Sequence, residues 1–347
     1  MIKYVFKRLG YMLLVVLILS FLMYMVYNMI PVDRAAADAR AEIQANRQAN
    51  LDYDELYAEY QKIYGTDGNL FIRYLRWMGV YPFSGVNEGD ADYYRGLAQG
   101  YLGRSYTRAE DVVDVIMPPM GNTVFINIFA TIAGLAICIP LGIVCAVKKG
   151  SKMDTGVQVF TVIGYSLPVF VIAILFIWIF VSILGWFPAG GMSTIGKIFD
   201  NPWDAFWDKM YHLALPLIVM TFCSLGGLTR YVRASMIEAL SMDCIRTARA
   251  KGVREKTVIY SHAFRNALIP IVTLVIGWFL SIFSGSIMIE NIFGLNGVGR
   301  LYIECLNKSD FEVVLALQMF YVIISLLGNL VTDIVYGLVD PRIRVNA

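Results

Sequence analysis

Six stretches of this chain run for twenty or more residues without an Asp, Glu, Lys or Arg: 9–32, 121–147, 155–196, 210–229, 266–289 and 313–332. A helix needs about 20 apolar residues to cross a hydrocarbon core, so each stretch is long enough to span a bilayer. Lipid offers no hydrogen bonds to the backbone, and long continuous apolar runs satisfy it internally only as helices. Composition agrees, with 58% hydrophobic residues, 16% charged residues and a mean hydropathy of +0.60. The expected fold class is an all-α polytopic membrane protein with six transmembrane helices.

The first run follows Lys3, Lys7 and Arg8. With Ala35, Ala36 and Ala37 behind it, it has the outline of a secretory signal peptide, but such a core needs only about 7–15 apolar residues. Residues 1–32 therefore read as a terminus and an uncleaved first spanning helix. Residues 33–117 change character, with nine Lys/Arg against fourteen Asp/Glu. Within them, 35–64 lacks Pro and Gly and is rich in helix formers, which predicts one or two exposed helices. Gly65, Gly68, Gly79, Pro82, Gly85 and Gly89 then predict turns. An extramembrane domain between the first two spans results. Pro140, Pro168 and Pro216 predict kinks or boundaries in the helices that follow.

Lys and Arg are unevenly shared between the connections. The N-terminal segment, the turn with Lys148, Lys149 and Lys152, the loop 230–265 with eight Lys/Arg against Glu238, Asp243 and Glu255, and the tail with Arg342 and Arg344 alternate with segments richer in acids. The positive-inside rule then places both termini and the basic loop in the cytoplasm, and 33–117 outside.

Neither a phosphate-binding GxxxxGK[ST] loop, an HExxH pair nor a GxSxG elbow is present in the sequence. His212 and His262 fall in different connections, and the five cysteines form no CxxC or Cys/His spacing, so no metal site, resident cofactor or catalytic residue is expected. Gly294, Gly297 and Gly299 only superficially resemble a nucleotide loop. Apart from Asp333 near one end, the spans lack the buried acids of ion-coupled carriers. Uncharged polar residues Asn127, Thr131, Tyr165, Ser166, Thr221, Ser224, Ser281 and Ser284 are the candidates for lining a path, although interhelical hydrogen bonding explains most such residues.

The basic loop has more structure than charge alone requires. Residues 242–251 alternate helix formers so that Ile245 and Ala248 share one face, and Gly252 suits a C-terminal cap. A second helical run, 254–265, leads into the fifth span. Anionic lipid would account for the basic residues, but it has no need of the small-residue face or the glycine.

These residues resemble a known family. Arg246-Thr247-Ala248-Arg249-Ala250-Lys251-Gly252, followed by His262-Ala263-Phe264-Arg265-Asn266-Ala267-Leu268-Ile269-Pro270, is similar to the coupling loop of ABC importer permeases of the oligopeptide, dipeptide and nickel class. Arg230-Tyr231-Val232-Arg233-Ala234-Ser235-Met236, Gly103-Arg104-Ser105-Tyr106, the run from Glu290 to Leu301, and Asp340-Pro341-Arg342-Ile343-Arg344 resemble further family segments in the same order. The chain departs from the wider pattern in opening its loop with Arg246-Thr247-Ala248 rather than Glu-Ala-Ala, and in Asn296-Gly297 where a Pro-Gly step is usual. Its acidic, Ala-rich stretch at 34–64 and its Gly-rich insert at 84–96 are longer than is typical.

The resemblance implies the six-helix fold of type I ABC importer permeases. Residues 1–32 form the N-terminus and first helix, 33–117 an extracytoplasmic domain, 118–339 the permease core with its coupling loop at 230–265, and 340–347 a cytoplasmic tail. It implies peptide import, with nickel or another small solute as the alternative. The implied partners are a second permease, two ABC ATPases carrying ATP and Mg, an extracytoplasmic substrate-binding protein and membrane lipid, with no nucleic acid. The implied location is the cell membrane of a bacterium or archaeon. The ATPase contacts it implies are Arg246, Thr247, Ala248, Arg249, Ala250, Lys251, Gly252, His262 and Arg265. A secondary carrier or channel working alone, and a membrane scaffold or receptor, are the readings from other classes.

Overall fold

The computed structural model describes residues 2–46, 51–84, 86, 90 and 93–339. The tail motif from Asp340 to Arg344, and part of the 84–96 segment, lie outside the described residues. Among those described there is no strand, only an isolated antiparallel bridge between Arg104 and Asp111. Four helices are long and apolar enough to cross a membrane, or up to six if two bent pairs each count as one span. The chain divides into two compact units, residues 1–117 with 304–323, and residues 118–303 with 324–347.

In the first unit, α1 (Ile2–Asn28) holds a candidate span from Val5. Three short helices follow: α2 (Arg34–Ala45), α3 (Tyr53–Ile63) and α4 (Leu70–Trp77). Each starts where a short polar side chain can accept a hydrogen bond from an otherwise unpaired N–H. Asp33 takes that of Ala36, Asp52 that of Asp54, and Asn69 that of Ile72. The helix α4 falls where only turns are expected from the sequence. It buries Tyr74 beside Tyr24 and Leu315, and the Tyr74 hydroxyl lies 2.8 Å from Ser20 Oγ. Arg76 is buried too, and Asp67 meets it with two bonds of 2.6 and 3.0 Å. The Gly103-to-Tyr106 motif wraps the buried Asp310. That carboxylate accepts from Ser105 Oγ (2.6 Å), the Tyr106 and Thr107 amides and the Thr107 hydroxyl. Burial pushes the Asp310 carboxyl up, but these donors together outweigh it and hold the group below its usual range.

The second unit contains most of α5 (Val112–Val147), which begins ahead of the expected span and continues through Pro118, Pro119 and Pro140. The expected single span at 155–196 is two helices, α6 (Lys152–Ser166) and α7 (Val169–Phe176), meeting at 106°. The cause is Leu167, extended because a proline follows it. A wide turn, Ile177–Ile183, extends α7. Pro216 does not interrupt α8 (Pro202–Ser241), whose 40 residues measure about 60 Å, twice a hydrocarbon core. Residues 230–241, which the sequence places in a loop, are therefore the rigid continuation of this helix. Close helix approach depends on small residues: a Cβ on Gly142 would sit 2.7 Å from Val232 Cβ, and one on Gly226 the same distance from Tyr165 Cβ.

Beyond α8 come α9 (Asp243–Ala250), α10 (Glu255–Thr257), a wide turn at Val258–Ala263 and α11 (Phe264–Ser281), then α12 (Ile287–Ile292) and α13 (Val298–Asn307). The last helix is α14 (Phe311–Val339).

Candidate functional site: a helical knob on the basic loop

Helix α9 is two turns long, too short to be stable by hydrogen bonding alone, so its order comes from packing. Ile245 is fully buried and Ala248 nearly so. They join Ile143 and Ala146 of α5, Val232, Met236 and Ala239 of α8, and Val258, Ala263, Ala267 and Ile271 of the α10–α11 run. Ala248 thus faces its own chain rather than outward, and its small side chain lets α9 sit close to that cluster.

The C-terminus of α9 is closed by a two-bond motif around a left-handed residue. Gly252 has φ +76°, its N–H bonds to Arg249 O at 3.0 Å, and the Val253 N–H reaches back to Ala248 O at 3.2 Å. Val253 packs on the same cluster as Ala248. The turn reverses the chain into α10, and from Glu255 it remains helical to Ser281. The wide turn at 258–263 holds one extra residue per turn, an insertion that re-aims the side chains beyond it. His262 lies there, and its carbonyl accepts from Asn266 Nδ2, which also approaches Cys244 Sγ at 3.9 Å.

The opposite face is polar and exposed: Asp243, Arg246, Thr247, Arg249, Ala250, Lys251 and Gly252, with His262 and Arg265 exposed on the neighbouring run. Arg249 forms a two-pronged pair with Glu255, at 2.6 and 3.2 Å. Arg246 meets Asp243 at 3.5 Å. Of the nine sequence-nominated residues, eight lie on exposed surface and Ala248 lies beneath them.

The polar residues nominated within the spans differ in burial. Asn127, Thr131 and Thr221 are buried, and Asn127 donates to the carbonyls of Ile282 and Ser284 at 2.8 and 2.9 Å, closing the end of α11. The Ser224 and Ser281 hydroxyls return to carbonyls three residues back, and Tyr165, Ser166, Ser281 and Ser284 are exposed on this chain. Asn127 is accounted for by this bonding alone.

Two constellations lie outside the residues that the sequence points to. Asp154, 1% exposed, forms a two-pronged ion pair of 2.7 Å per bond with Arg233 on α8 and accepts from the Gly150 amide, which fixes the start of α6 to the helix that leads into the knob. The Ser151-x-x-Asp154 spacing is a helix-start signature that could have flagged it. Glu290 on α12, 3% exposed, accepts from Thr123 Oγ1 and from the amides of Ser286 and Arg300. Gly297 and Gly299 lie against its carboxylate, where a Cβ on Gly297 would come within 2.6 Å of either oxygen. Of the three glycines that superficially resemble a nucleotide loop, Gly297 and Gly299 thus surround the chain's own carboxylate. Among the described residues no group of three or more His, Cys, Asp or Glu could hold a metal ion.

Against known proteins, residues 138–345 match the family model described as "Binding-protein-dependent transport system inner membrane component", and residues 1–127 match the model of the N-terminal region of such membrane components. The oligopeptide transport system permease protein AppB of Bacillus subtilis is 34% identical, covering 81% of this chain and 83% of its own. The dipeptide transport system permease protein DppB of Alkalihalophilus pseudofirmus is 36% identical over 73% of this chain and 80% of its own. A solved inward-facing structure of the MetNI methionine ABC transporter aligns with 63% of this chain and 95% of its own, at a TM-score of 0.48 and 16% identity. The chain belongs to the family of binding-protein-dependent transport system inner membrane components.

Proposed function

We propose that the chain is a membrane-spanning permease subunit of an ATP-driven ABC importer of peptides, and that α9 is the element through which separate ATPases move it. The observation that carries the coupling role is the two-faced build of α9: an apolar side seated in the helix cluster and a polar side left in the open. A push on such a knob is passed to α8 and α11 together, because both contribute to its seat. Peptides as cargo are supported by the names of the relatives, which handle oligopeptides and dipeptides.

In this reading the 230–265 loop and both termini face the cytoplasm, and residues 33–117 face the binding protein. A second permease completes the path, and two ATPases each receive one knob. Arg246, Arg249 and Lys251 pair with acids on the ATPase, Gly252 shapes the bend, and His262 and Arg265 flank the contact. Tyr165, Ser166, Ser281 and Ser284 stay available to line the path with the second permease.

Gly252→Asp tests the contact. No atom lies within 4 Å of where a Cβ would be, so the change disturbs this chain only through the left-handed backbone, about 1 kcal/mol. Membrane insertion should be unchanged and co-purification of the ATPase lost, whereas Gly252→Asn, which tolerates that backbone, should retain part of it. Normal recovery of the ATPase with Gly252→Asp would refute the docking role. ATP-dependent uptake of a labelled tripeptide by vesicles holding the whole system tests the cargo.

A further inference from the structure

The first unit encloses a cavity of about 710 Å³, within the roughly 300–1,000 Å³ range of small-molecule sites. Its walls include Tyr24, Tyr64, Trp77, Tyr101 and Tyr106, and charged residues of both signs line it. Most of those charges are already engaged. Arg76 is held by Asp67, Arg73 donates to Gly68 O, and Arg104 donates twice to Ala109 O. Arg95 lies 3.7 Å over the Tyr101 ring. Asp310 accepts four hydrogen bonds, and Asp33 caps α2 while accepting from the Tyr57 hydroxyl.

Glu312 and Arg34 are less fully engaged than these. Among the described residues no hydrogen bond or ion pair reaches the Glu312 carboxylate, although it lines the cavity. Gly103 makes room for it, since a Cβ there would come 2.6 Å from Glu312 Oε2. The Arg34 guanidinium is held over the rings of Tyr64 (3.9 Å) and Tyr106 (4.7 Å) and forms a long ion pair with Asp38 at 3.8 Å, while its Nε makes no hydrogen bond. An acid with no bonded partner among the described residues and a base held only by a long ion pair and two rings thus line one aromatic-walled cavity. Half-buried charges left without a direct hydrogen bond are partly desolvated without full return, a deficit that a ligand carrying both opposite charges would relieve.

We propose that this cavity binds a short zwitterionic peptide, with the ammonium at Glu312 and the carboxylate at Arg34. The aromatic walls suit the ammonium end as well as apolar side chains. The choice of a peptide over other zwitterions rests on the importer reading above.

The test is calorimetric titration of the assembled transporter, without its binding protein, with trialanine, N-acetyl-trialanine and trialanine amide. Trialanine should bind saturably, and blocking either end should weaken it about tenfold or more. Glu312→Gln should remove the discrimination against the acetylated probe, and Arg34→Gln that against the amide. No saturable binding of trialanine, equal binding of all three probes, or discrimination unaltered in both variants would each overturn the proposal. The comparison of probes on the unaltered protein stands even if a variant fails to assemble. Uptake is scored separately: peptide uptake without binding at this cavity overturns the cavity alone, and binding here without peptide uptake overturns the importer reading alone.

Discussion

Two glycine-marked segments of the second unit use the same residue for opposite reasons. At the knob, Gly252 has φ +76° and open space around it, so glycine is there for its backbone angle. Around Glu290, Gly285 and Gly299 are there for lack of a side chain: a Cβ on Gly285 would press on the Gly299 amide nitrogen and lie 2.8 Å from its Cα. One segment is shaped so that its outside is free, the other so that its inside is full. The contrast teaches that a glycine bend offers a surface to a partner only where the space beside it is empty.

The pair Gly285→Ala and Gly252→Ala exposes this difference most strongly. Backbone cannot move aside as a side-chain end can, so Gly285→Ala should destabilise the chain by about 3 kcal/mol or more. Gly252→Ala meets nothing and should lose about 1 kcal/mol through its left-handed backbone. Thermal unfolding in detergent measures both, and equal losses would show that the space beside Gly252 is filled.

A smaller effect separates the two segments by pH. Burial pushes the Glu290 carboxyl up, and the donors at Arg300, Thr123 and Ser286 recover only part of it. For an acid whose folded pKa is raised, the unfolded chain loses its proton first, so stability falls as pH rises from the usual value of 4.5 through the folded one. The slope is at most about 1.4 kcal/mol per pH unit. Glu290→Gln should remove that slope, seen as a difference between variant and parent unfolding curves that changes with pH above the usual carboxylate range. A constant difference would mean that the carboxyl titrates alike in both states.

Local features of the molecule were legible in the sequence, and contacts between distant residues were not. Gly252 as a cap and the common face of Ile245 and Ala248 follow from spacing within ten residues. The break at Leu167 could have been read from Pro168, yet the uncharged run around it invites a single long span. Helix α4 was missed because it is only eight residues long and carries two arginines, although Asn69 is a good first cap. The partners of Glu290 and Asp310 were beyond reach: Thr123 and Ser105 stand 167 and 205 positions away. Nothing local distinguishes a carboxylate that will be clasped by backbone amides from one that will face water. The glycines beside Glu290 were the available clue, and they carried an ambiguous signal, since small residues also line phosphate loops.

The smallest expected effect returns to the knob's open face. Arg249 and Glu255 form the best-aligned ion pair there, but their side chains are 45% and 56% exposed. An exposed pair gains little in water, because both charges surrender hydration and side-chain freedom to meet. The apolar seat of Ile245, Ala248 and Val253 already holds α9 in place, so the pair is not needed to anchor it. Arg249→Gln should therefore leave the unfolding temperature unchanged within error while reducing ATPase co-purification, the reverse of what Gly285→Ala should do to stability. A loss of stability as large as that of Gly252→Ala would mean that the charged face braces the knob itself, and the contrast between an open outside and a filled inside would then fail.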